Sequence, residues 1–106
     1  MDDWKDYSNN QIVKIERLAQ EFEVWELKRI PYGKMKIRIY ESQNGNYMGR
    51  TNLMVKDSAG SYNPGIGHGQ TVVGALDDTI NDFFSQLDNI IEIKESDFQY
   101  VDPMDF

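Results

Sequence analysis

The chain has 106 residues, 40% of them hydrophobic and 12% aromatic, with no cysteine and one histidine. That length supports one modest core and one domain, and the composition excludes a disulfide scaffold or thiolate metal site and argues against a dedicated zinc centre. The formal charge of −7 is uneven: residues 1–56 hold ten Lys/Arg and eight Asp/Glu, whereas residues 57–106 hold one Lys and ten Asp/Glu, a field that attracts basic surfaces and repels nucleic acid at long range.

Taken in chain order, Trp4 and Tyr7 belong to a lead-in. Ser8 and Gln11 have capping-box spacing. Ile12, Ile15, Leu18, Ala19 and Phe22 then recur at helical period, which predicts a first helix over about residues 9–22. After Glu23 the period changes to two, giving a strand candidate over 24–30 that Pro31 ends, with Tyr32-Gly33 as a turn. Met35, Ile37 and Ile39 alternate with Lys34, Lys36, Arg38 and Tyr40, the pattern of a half-buried strand. Asn44-Gly45 is a hairpin signal of the type I′ kind. The next strand, 47–56, sets Leu53 and Val55 on one side and Met48, Arg50 and Met54 on the other.

The glycine-rich stretch that follows, with a short strand expected near Tyr62, leads to the one long helix of the second half. Thr71 is its N-cap. Val73, Leu76, Ile80, Phe83, Phe84 and Leu87 form its apolar face, and Asp77, Asp78, Asn81, Asp82 and Ser85 its polar one. Asp77 and Asp78 sit near the positive end of the helix dipole. Residues 90–93 read as a closing strand. The segment 95–106 reads either as packing on the sheet or as a flexible acidic tail. The fold class expected is α+β: an N-terminal helix, an antiparallel sheet of three to four strands and one helix on a face.

The order of strand, Asn-Gly hairpin, strand, glycine stretch and Thr-capped helix over about residues 34–88 resembles the N-terminal domain of HicB-like antitoxins. The matching residues are Gly45-Asn46-Tyr47, Pro64-Gly65, Gly69-Gln70-Thr71 and Ala75-Leu76. The resemblance implies a ββαβ fold related to double-stranded-RNA-binding domains and a scaffold for gripping another protein. Gly74 departs from the family's acidic residue, and no DNA-binding pattern follows the helix. In composition, the small acidic cysteine-free chain is also similar to phage-encoded inhibitors of bacterial defence nucleases, anti-CRISPR proteins among them.

Gly65, Gly67 and Gly69 before Thr71 can in principle cradle a phosphate, yet Gln70 stands where the Walker pattern needs Lys and the Rossmann spacing is not met. His68 has no Cys or Ser-elbow partner, so no catalytic residue is assigned and the chain reads as non-enzymatic. Asp77, Asp78 and Asp82 lack calcium-loop spacing, so no metal and no cofactor is assigned. Lys28, Arg29, Lys34, Lys36 and Arg38 form a basic run, against which the net charge stands.

The reading is a protein-binding inhibitor that masks the basic nucleic-acid-binding surface of a partner, such as a nuclease. The residues assigned to the partner are Asp77, Asp78, Asp82, Glu95, Asp97, Asp102 and Asp105, with Phe98, Tyr100 and Phe106 as apolar anchors. The alternative is a nucleic-acid- or small-ligand-binding module using residues 65–71 and the basic strand Lys34, Lys36, Arg38. No membrane span or signal peptide is legible, which points to the cytoplasm, and an edge strand leaves room for a homodimer.

Overall fold

A computed structural model describes residues 4–106. The chain runs β1 (Glu16–Trp25), β2 (Lys34–Ser42), β3 (Tyr47–Lys56), β4 (Tyr62–Gly69), α1 (Val72–Leu87) and β5 (Phe98–Tyr100). The strands make one antiparallel sheet in the order β1-β2-β3-β4, with β5 paired to β3. The helix lies across one face, so the α+β class expected from the sequence is the observed one.

Alternation builds the sheet. In β2, Met35, Ile37, Ile39 and Glu41 are buried while Lys34, Lys36, Arg38 and Tyr40 face the other way. In β3, Leu53 and Val55 join the same buried side and Met48, Arg50 and Met54 the open one, as the period of two dictates. The core consists of Ile30, Met35, Ile37, Ile39, Leu53, Val55, Ala75, Phe83 and Leu87.

The expected N-terminal helix is not formed. Residues 16–25 are strand β1, and in place of the expected capping box there is an Asx turn in which Asn9 Oδ1 accepts the Gln11 amide at 2.9 Å. The cause is a β-bulge: Leu18 pairs with Tyr40 and Gln20 with Ile39, leaving Ala19 unpaired. One inserted residue shifts the phase of an alternating strand, so the apolar spacing across it imitates a helix. Beyond the bulge, Phe22 and Val24 lie opposite Ile37 and Met35, and Glu21 and Glu23 opposite Arg38 and Lys36, cross-strand pairs that favour the sheet.

The strand expected over 24–30 therefore ends at Trp25. Glu26 Oε1 folds the following turn by accepting the amides of Lys28 at 2.8 Å and Arg29 at 2.7 Å. Tyr32 and Gly33 do form a turn, both at positive φ. Gly45 sits between β2 and β3 at φ +88° while Asn44 does not enter the left-handed region, so the hairpin is as expected but its turn is not type I′.

Residues 90–93 form no strand. The closing strand is β5, which enters where β2 and β3 diverge. At that fork the Asn52 side chain accepts the Lys36 amide at 2.8 Å, and its main-chain carbonyl accepts the Val101 amide at 2.7 Å.

The first residues described fold back onto β2. Glu41, 4% exposed, accepts from Lys5 Nζ at 2.7 Å and from Arg17 Nη2 at 2.8 Å. Gln43 Nε2 donates to the carbonyls of Trp4 and Tyr7, both at 2.7 Å. The Lys5 hydrogen bond and then the Arg17 one hold the Glu41 carboxyl below its ordinary range.

Candidate partner-binding surface

The stretch read as a glycine loop is strand β4, and its glycines recur at 65, 67 and 69 with the period of a strand. All three face α1. A Cβ on Gly67 would stand 2.2 Å from the Thr79 backbone nitrogen, and one on Gly69 2.5 Å from that of Ala75. Gly49 of β3 meets Thr79 in the same way, at 2.3 Å from Oγ1. The helix backbone thus rests almost directly on the strand, which leaves the helix side of these glycines no room for a phosphate.

This close approach selects the buried helix face. Ala75, Thr79, Phe83 and Leu87 are buried, with Leu76, Ile80 and Phe84 packed beside them. Val73, expected on the apolar face, is 73% exposed. Ala75 lies over Gly69, Thr79 over Gly67 and Phe83 over Gly65, so the helix is rotated relative to a face drawn by hydrophobicity alone. The Thr71 cap is as expected, its Oγ1 accepting the Gly74 amide at 2.9 Å.

The same approach brings the helix carboxylates to the free edge of β4. Asp78 Oδ2 accepts the His68 amide at 2.8 Å, and Asp82 Oδ2 accepts the Ile66 amide at 2.9 Å. One turn further, Gln86 Nε2 donates to the Pro64 carbonyl at 3.1 Å. Residues 78, 82 and 86, spaced by four, align on one helix flank. They satisfy main-chain groups two residues apart on the strand and take the place of a further strand, which blunts an edge that would otherwise invite pairing.

Two of the three helix aspartates assigned to a partner are thus also structural, each with one oxygen on β4. Asp77 accepts only a 3.4 Å contact from Asn81. From residue 57 to residue 93 the chain has six acids and no Lys or Arg, so the helix layer is anionic. At its end, Asp88 meets Arg29 at 3.7 Å.

The structure places the remaining assigned residues in the molecule's own packing. Glu95 accepts from the Tyr32 hydroxyl at 3.2 Å, and Asp97 accepts the Lys94 amide at 2.8 Å. Phe98 packs on the core. Tyr100, 40% exposed, stacks on Tyr32 with ring centroids 6.3 Å apart. Asp102 accepts the Met104 amide at 2.9 Å, and the Asp105 amide bonds back to its carbonyl at 2.8 Å. Phe106 reaches the open face of the sheet, where its carbonyl accepts from Arg38 Nη1 at 3.1 Å and Tyr40 Oη at 3.2 Å.

Sequence reasoning missed the convergence on that open face. Arg38 and Arg50 are directly opposed across β2 and β3, and Tyr40 opposes Met48. The available signal was alternation, which already put Arg38 and Tyr40 on one side of β2 and Arg50 on one side of β3. His68 stands on the same face in β4, exposed. Among the described residues no three His, Asp or Glu side chains converge as metal ligands, and no helix is long and apolar enough to cross a membrane. Comparison with protein-family models, with curated proteins and with solved structures finds no match.

Proposed function

We propose that the protein is a non-enzymatic, protein-binding inhibitor whose anionic helix layer docks on a basic, nucleic-acid-facing surface of its partner. The observation that carries this reading is the segregation of charge. The helix presents Asp77, the outward oxygens of Asp78 and Asp82 and, at its end, Asp88, which Arg29 meets at 3.7 Å, and the sequence has no Lys or Arg between residues 57 and 93. These carboxylates stand on a helix fixed to the sheet by close backbone contact, so little ordering entropy is lost on binding. Electrostatic complementarity of this kind sets association rate and partner choice. The acids Glu95 and Asp97 extend the same negative field at the rim, and Tyr100 supplies its half-exposed ring.

The test is capture from a host lysate by the immobilised chain, at low and at high salt. The reading expects a basic nucleic-acid-binding protein that is retained at low salt, released at about 0.5 M salt where screening shortens to a few ångströms, and not retained by Asp77→Lys. An empty column at low salt contradicts it.

A further inference from the structure

Opposite the anionic helix layer, the open sheet face carries a charge arrangement that the fold does not itself balance. Arg38 and Arg50 form a direct cross-strand pair, and like charges in that relation are destabilising. Arg38 is compensated: its Nε donates to Glu21 at 2.7 Å, its Nη1 to the Phe106 carbonyl at 3.1 Å, and its guanidinium lies 4.4 Å from the Phe106 ring centroid. Arg50 is not. Its guanidinium carbon sits 5.3 Å from the Tyr40 ring centroid, and its Nε is a buried donor without a hydrogen-bond partner among the described residues. Buried donors are nearly always satisfied, so Arg50 is a guanidinium whose hydrogen bonding the fold leaves incomplete and open to an acceptor from water or from a ligand.

The surroundings give the acceptor's chemistry. Tyr40 opposes Met48, and Met48 opposes His68, in the row beside the arginines. Ile66 opposes Arg50 on β4. Two guanidiniums beside a flat row of aromatic, thioether and aliphatic groups match a phosphodiester next to unpaired bases, which stack on such surfaces. We propose that this face is a binding site for the backbone of single-stranded nucleic acid, centred on Arg38, Arg50 and Tyr40, and that the tail occupies it in cis through Phe106 as a competitor. The tail imitates such a ligand. It sets a ring on the Arg38 guanidinium and a carbonyl oxygen on Arg38 and Tyr40, and it brings two carboxylates, Asp102 and Asp105, in the same five residues. The site is independent of the helix layer, which lies on the opposite face.

The experiment is fluorescence anisotropy with labelled oligothymidylate and oligouridylate of about 15 nucleotides. It compares the full chain, a chain ending at Val101 and Arg50→Gln in the shortened chain, each checked for fold by circular dichroism. Arg50→Gln breaks no ion pair, so it reports on the site even where Arg38→Gln disturbs the sheet through Glu21. The expected results are roughly tenfold tighter binding on removal of the tail and a salt dependence whose log–log slope shrinks by about 0.7 on Arg50→Gln. A folded shortened chain that does not bind at about 50 mM salt, or binding that Arg50→Gln leaves unchanged, overturns the proposal. Equal affinity of full and shortened chains overturns the competitor role. Capture of a labelled Asp-Pro-Met-Asp-Phe peptide with no oligonucleotide binding reassigns the face to peptides and likewise overturns it.

Discussion

The Oδ2 atom of Asp82 accepts the main-chain amide of Ile66 at 2.9 Å, so a helix side chain completes the hydrogen bonding of a sheet edge. Asp78 repeats the arrangement at His68. Asp82→Ala is expected to cost about 1 kcal/mol, the net value of an exposed charged hydrogen bond to backbone, and to speed hydrogen exchange at Ile66. Asp82→Asn keeps an oxygen acceptor and recovers most of the loss. Urea unfolding and amide exchange check both. The double variant Asp78→Ala/Asp82→Ala also frees the β4 edge, and concentration-dependent association by light scattering is expected from it.

The glycines of β4 make that edge reachable. Gly67→Ala forces a methyl to within 2.2 Å of the Thr79 nitrogen. The helix must lift, and a loss of about 3 kcal/mol or failure to fold is expected. Gly45→Ala is the control. Its φ is +88° but nothing lies within 4 Å, so only the backbone conformation is penalised, by about 1–2 kcal/mol. Thermal unfolding of the two variants separates close approach from turn strain.

Much of this was legible in the sequence. The period of two puts Met35, Ile37 and Ile39 on one side of their strand and Leu53 and Val55 on one side of the next, and Thr71 marks the helix start. What failed, failed for local reasons. The bulge at Ala19 converted a strand's alternation into an apparent helical stripe, and no residue in the one-dimensional pattern announces a bulge. By residue type Gly65, Gly67 and Gly69 read as a loop, although their spacing is that of a strand face pressed against something. Val73 was assigned inward because hydrophobicity draws a helix face without knowing that glycines will pull Ala75 and Thr79 to the centre. Of the surface residues assigned to a partner, Asp78 and Asp82 hold the helix to β4, and Phe98 packs on the core. Those roles depend on which strand lies beside which residue, and that is a tertiary fact.

Glu41 gives a pH dependence. Hydrogen bonds from Lys5 and then Arg17 lower its pKa in the folded chain. Its stabilising contribution is therefore complete above the unfolded carboxyl value of about 4.3 and is lost as pH falls through the lower folded value. Glu41→Gln is expected to lower the urea midpoint at about pH 7 and to flatten its decline toward about pH 3. Parallel midpoint–pH curves for the two chains contradict this.

The proposed function requires that the anionic helix layer and nucleic acid compete for one partner surface. The direct measurement is a titration of the captured partner, bound to labelled nucleic acid, with the full chain while anisotropy is followed. Displacement of the nucleic acid is expected, with a midpoint that rises in proportion to its concentration and a loss of effect for Asp77→Lys. A stable ternary complex, in which partner, chain and nucleic acid bind together, contradicts it.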